Sequence, residues 1–108
     1  MVLYILNDNK EPVPCDVYLW AAWRIENEGS MRVARTEFTN GRTVSTVFLG
    51  VDHNYFGKGP PILFETVVFA SGKPEGEYTQ RYATWAEAEV GHMEIVELFT
   101  SKGHVNAR

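Results

Sequence analysis

One cysteine stands in 108 residues. Cys15 has no partner within the chain for a disulfide, and no paired cysteines offer a zinc knuckle. The composition therefore fits a reducing compartment, with an intermolecular bridge left open. Long apolar runs are missing too. The amino-terminal stretch Val2 to Leu6 is broken by Asn7, Asp8, Asn9 and Lys10, too soon for a signal peptide or a membrane span. A cytoplasmic protein with no membrane partner is the expectation. Basic residues are few: ten Lys plus Arg against fourteen Asp plus Glu give a formal charge of −4. That disfavours nucleic acid as a partner, because affinity for a phosphate backbone comes from clustered cations. Arg24, Arg32, Arg35 and Arg81 interleave with the acids, so the chain does not read as a nucleic-acid mimic either. No nucleophile elbow, phosphate loop or dinucleotide fingerprint occurs, since Gly57-Lys58-Gly59 lacks the spacing and the following helix. Internal repeats and low-complexity tracts are absent as well.

What is present is apolar and aromatic matter, 44% and 13% of the residues, enough for one substantial core and a single domain over 1–108. Val2 to Leu6 reads as a strand, turned by Asn7-Asp8-Asn9 into Glu11 to Cys15, which Pro12 and Pro14 confine to an edge or a loop. Asp16 is placed to cap a helix from Val17 to about Glu28, closed by Gly29 in a left-handed conformation. At about 100° per residue, Trp20, Trp23 and Asn27 share one side of that helix and Val17, Ala21 and Ile25 the other. One side then covers the sheet and the other packs under a terminal segment. The sharper alternative makes the tryptophan side an exposed docking surface or a dimer contact.

Asn40-Gly41 between Met31–Thr39 and Arg42–Val51 is the dipeptide favoured by a two-residue type I′ hairpin. The register that follows sets Phe38 against Thr43, Thr36 against Ser45, Ala34 against Val47 and Val33 against Phe48. Ile62 to Ala70 is apolar on both alternations and reads as a central strand, with Glu65 inside it needing a partner or a rim. A polar strand from Glu77 to Ala83 places Tyr78 and Tyr82 on one face. Thr84-Trp85-Ala86-Glu87 is a capping box opening a helix to about Ser101, stopped by Lys102-Gly103, with Trp85, Ala88, His92, Ile95, Val96 and Phe99 as its apolar stripe. His104 to Arg108 reads as a frayed tail. The sum is an α+β domain: an antiparallel sheet of four or five strands, a carboxy-terminal helix on one face, and a second helix after the first strand.

Two places carry candidate chemistry. His92 lies mid-stripe, where an imidazole must find a partner or lose its charge. The plain account is a core histidine bonded to a carbonyl, a tyrosine hydroxyl or Glu65. The chemical one brings His92 to the loop bearing Asp52 and His53, as an acid–base pair or a metal site with Glu65 or Glu89. Glu89 and His92 have the Glu-x-x-His spacing of carboxylate-bridged metal proteins, but the second copy such sites need is missing. Asp52, His53, Glu65 and His92 would make a metal site only if the loop folds over the second helix, and no cofactor is expected. The loop itself, Asp52 to Pro61, combines local Asx turns with Gly57, Gly59 and two prolines. Its length and aromatic content also make it a candidate binding loop.

The segments VSTVFLGVDHN, GPPILFETVVF and RYATWAEAEVGH, in this order and spacing, resemble a group of small proteins of about one hundred residues encoded by tailed bacteriophages and prophages. The similarity spans nearly the whole chain, including the PVP segment and the two helical tryptophans. Val51 and Val67 stand where Leu and Met would be equally natural. The resemblance implies a phage-encoded accessory protein acting in the host cytoplasm and carries over no catalytic residue. The functional expectation is a non-enzymatic binding module, an inhibitor or modulator of a host defence protein. Its partner is a host or phage protein, with room for a homodimer. Binding is expected through Asp52, His53, Asn54, Tyr55 and Phe56 together with Trp20 and Trp23. The rivals are a small metal-assisted or acid–base enzyme using His53, His92 and Glu65, and a minor virion or assembly protein.

Overall fold

A computed structural model describes residues 2–103 of the chain. Strands β1 (Leu3–Leu6) and β2 (Pro12–Cys15) pair as an antiparallel hairpin, followed by α1 (Val17–Glu26) and a 3-10 turn (Glu28–Met31). A meander follows: β3 (Arg32–Glu37), β4 (Thr43–Phe48), β5 (Phe64–Phe69) and β6 (Gly76–Tyr82), closed by α2 (Trp85–Gly103). The meander is one four-stranded antiparallel sheet in the order β3-β4-β5-β6, and α2 packs across one face of it. The α+β class and the placement of both helices agree with the sequence. The first hairpin forms a separate two-stranded sheet rather than a fifth strand. The expected tail, His104 to Arg108, lies outside the described residues.

Local chemistry explains most boundaries. Asn7 Oδ1 accepts from the backbone N–H groups of Asn9 and Glu11 at 2.9 and 3.0 Å, closing the first turn. Asp16 Oδ1 accepts from Leu19 N at 2.8 Å and caps α1. The far end differs from expectation: α1 stops at Glu26, and Gly29 is not left-handed. Asn27 closes the helix instead, donating both its backbone N–H and its side-chain Nδ2 to the Trp23 carbonyl at 2.8 and 2.9 Å. For α2, Glu87 N donates to Thr84 Oγ1 at 3.1 Å while that hydroxyl donates to Glu87 Oε1 at 3.0 Å.

The β3–β4 hairpin departs from the expected register by one residue. Gly41 is left-handed (φ 87°) but Asn40 is not, so the type I′ turn is excluded. Gly41 N donates to Phe38 O at 2.9 Å and Phe38 N to Arg42 O at 2.8 Å, the pattern of a three-residue connection with a bulge at glycine. Thr36 therefore faces Val44 and Ala34 faces Thr46. A one-residue slip moves every side chain to the other face of a strand. The observed register is what sets Thr36 and Thr46 on the same side, beneath α2.

Across the sheet, three rungs face the helix. Phe48, Phe64 and Tyr82 make one, Val44, Val68 and Tyr78 another, and between them run Ala34, Thr46, Thr66 and Gln80. The buried apolar side chains divide accordingly. Leu6, Phe48, Leu63, Phe64, Tyr82 and Ala88 form one cluster; Phe38, Val44, Val68, Ile95 and Val96 form the other. Polar side chains occupy the line between them.

Candidate functional site

His92 projects from α2 onto that polar line and is 1% exposed. Its Nδ1 lies 2.7 Å from Thr46 Oγ1 and its Nε2 lies 2.9 Å from Thr36 Oγ1. Thr46 Oγ1 is 2.5 Å from Thr66 Oγ1, which accepts from the Tyr82 hydroxyl at 3.1 Å. A neutral imidazole offers one donor and one acceptor, which two hydroxyls satisfy without any charged group. Burial pushes the His92 pKa below its ordinary value, because nothing in the chain of hydroxyls offsets the lost solvation of an imidazolium. The same burial raises Tyr82, an effect opposed by its hydrogen bond to Thr66. Among the described residues every buried side-chain nitrogen and oxygen has a partner. His92 is thus the neutral centre of a closed network, of the core type, with threonines as partners in place of Glu65.

Gly91 makes this approach of helix and sheet geometrically feasible. A Cβ there would overlap the Tyr82 ring. Neither Gly91 nor the threonines stood out in sequence, although Val44-Thr46-Phe48 and Phe64-Thr66-Val68 repeat one polar position in the middle of two apolar alternations.

The loop between β4 and β5 continues their pairing past the strand ends. Leu49 N donates to Leu63 O at 2.7 Å and His53 N to Ile62 O at 2.8 Å. Asp52 Oδ1 accepts from Asn54 N and Ile62 N at 2.8 and 2.9 Å, and Asn54 Nδ2 donates to Lys58 O and Pro60 O at 2.5 and 3.0 Å. His53 Nδ1 donates to Val51 O at 2.9 Å, which leaves its other ring nitrogen for outside partners. Asp52 and Asn54 are thereby engaged with the loop's own backbone. Tyr55 and Phe56, 73% and 90% exposed, are what the loop presents.

The tryptophan side of α1 is turned inward. Trp20 Nε1 donates to Gly50 O at 3.1 Å, Arg24 Nη1 donates to Leu49 O at 2.9 Å, and Trp23 meets Phe48 edge-on at 5.9 Å. Gly50 is left-handed (φ 76°), and a Cβ there would lie 2.9 Å from both the Trp20 and the Arg24 nitrogens. Trp20 and Trp23 therefore form no open docking surface. An indole with an N–H to satisfy gains more from a carbonyl at the strand end than from water. The opposite side is the open one, where the sequence leads to the expectation that both sides are covered: Tyr18 is 85% and Ile25 81% exposed, and Val17, Ala21 and Ala22 are exposed beside them.

The candidate catalytic trio does not converge. Glu65 points to the sheet face away from α2 and accepts from Arg81 Nε at 2.9 Å, its direct cross-strand partner. His53 lies in the loop, while His92 is under the helix. Glu89 is exposed on α2 whereas His92 is buried, so their spacing yields no shared site. Among the described residues no three His, Cys, Asp or Glu side chains are grouped to hold a metal ion. No family model, curated protein or solved structure matches this chain. Among the described residues no helix is long and apolar enough to cross a membrane. The functional candidates left on the surface are the outer side of α1 and the Tyr55-Phe56 tip of a loop that springs from the Gly50 gripped by α1.

Proposed function

We propose that this chain is a phage-type accessory protein that works as a non-enzymatic binding module, docking on a host protein whose activity it modulates. The observation that carries the reading is α1: none of its ten residues is buried, and Val17, Tyr18, Ala21, Ala22 and Ile25 line its solvent side, with Glu26 as the one exposed charge at the carboxy-terminal end. Continuous apolar surface of this kind on a small domain marks interaction sites. Aromatic anchors dominate the energetics of such sites, and Tyr18, Tyr55 and Phe56 supply three. The side chains suited to acid–base work are separated or consumed by local bonds, which supports binding over turnover. The phage assignment rests on the motif resemblance.

Affinity capture from a bacterial host lysate tests the reading. The wild-type chain is expected to retain a defined protein in stoichiometric amount, and Tyr18→Glu with Ile25→Glu, both on exposed positions, is expected to release it without changing the melting temperature. Recovery of the chain in purified virions, with no host protein captured, would replace this function with a structural role.

A further inference from the structure

The outer face of α2 is a second solvent-facing surface, distinct from the one assigned above. Ala86, Val90, Met93 and Glu97 follow one another at helical spacing along its outermost line, and Val90 and Met93 are 60% and 61% exposed. Glu89 flanks this line on one side and Glu94 on the other. On the sheet the carboxylates are neutralised, Glu37 by Arg35, Glu65 by Arg81 and Glu77 by Arg42. Glu89, Glu94 and Glu97 have no such cation among the described residues. Glu94 and Glu97 are three apart on one helix face, a spacing at which like charges repel. An apolar stripe between uncompensated carboxylates is the complement of a helix with an apolar seam between cations.

We propose that α2 docks a cationic amphipathic helix of a partner protein, laid along Ala86, Val90 and Met93 with its Lys or Arg residues against Glu89, Glu94 and Glu97. The apolar stripe from Ala86 to Met93 runs about 10 Å and the whole docking line through Glu97 about 16 Å, matched by about three turns of partner helix. A second copy of this chain is disfavoured as occupant, because it would bring three more unpaired carboxylates against the same stripe. Nucleic acid is repelled outright.

The probe is a fourteen-residue peptide of Leu and Lys with its leucines on one helical face, compared with a scrambled peptide of identical composition. Titrated into isotopically labelled protein, the amphipathic peptide is expected to shift amide resonances along α2 and to bind at least about tenfold more tightly than the scramble, a difference that charge alone does not produce. Val90→Glu with Met93→Glu increases the attraction for lysine but removes the stripe, and is expected to weaken binding about tenfold or more. Glu94→Lys with Glu97→Lys should weaken it to a similar degree, and Asp8→Lys with Glu75→Lys, the same charge change elsewhere, should leave it within about twofold. Equal affinity for the scramble, tighter binding by the Val90→Glu, Met93→Glu variant, or shifts centred on α1 or the open sheet face would each overturn the proposal. So would sedimentation showing a dimer that Met93→Glu dissociates, since the occupant would then be a second copy.

Discussion

His92 is the residue on which the interior turns. Its pKa in the fold is lowered by burial, so the folded state holds it neutral where the unfolded chain, with an ordinary value near 6.5, begins to take up a proton. Above that pH both states are neutral and the network stabilises fully. As pH falls below about 6.5 the unfolded state gains a proton that the folded state refuses, and stability declines by up to about 1.4 kcal/mol per pH unit until the lowered value is reached. Urea titrations at pH 7.5, 6.5 and 5.5 should show this decline in the wild type, and His92→Gln should flatten it. Thr46→Val leaves Nδ1 without its hydroxyl, and a loss of about 1 to 3 kcal/mol at pH 7.5 is expected in the same assay. Gly91→Ala should cost about 1 to 3 kcal/mol by forcing the Tyr82 ring aside. That cost should shrink in a Tyr82→Leu background, where the overlapping ring is gone. From sequence the peculiarity of His92 was evident but its partners were not. Glu65 was a chemically reasonable choice, and the alternation of β5 sends it to the opposite face.

Elements were legible where their signals are local. The capping box at Thr84, the cap at Asp16, the turn at Asn7 and the central position of β5 each follow from a few neighbouring side chains, and each is observed. Two signals misled for physical reasons. Asn40-Gly41 satisfies a type I′ turn, yet a three-residue connection with only glycine left-handed satisfies it as well, and the latter sets Thr36 and Thr46 toward α2, where His92 needs both. Tertiary demand chose between two locally acceptable turns. Gly29 resembled a helix stop, but Asn27 intercepted the helix two residues earlier by bonding the Trp23 carbonyl twice. The observed turn makes its own prediction. At Gly41 a side chain would meet left-handed backbone and Ser71 Oγ at 2.5 Å, so Gly41→Ala should lower stability by about 1 kcal/mol or more in urea unfolding.

The molecule as a whole separates an interior that accounts for its polar groups from an exterior that leaves apolar groups in water. Of the side chains that sequence alone offered as chemistry, His92 is taken up by the hydroxyl line beneath α2, Asp52 by loop backbone and Glu65 by Arg81, and His53 stands apart from all three. The outward surfaces of α1, the 55–56 tip and α2 carry the unspent apolar area. Pattern reasoning could divide α1 into two faces, but not decide which faced inward. That decision depends on the Gly50 carbonyl, thirty residues away, reaching Trp20. The central claim is that surface residues, not histidines, perform the function. The most direct measurement is a side-by-side capture of the proposed host partner by wild type, His92→Gln, and the Tyr18→Glu, Ile25→Glu double variant, each verified as folded. Undiminished capture by His92→Gln with loss in the double variant is the predicted result; capture that survives in the double variant and disappears with His92→Gln would contradict it.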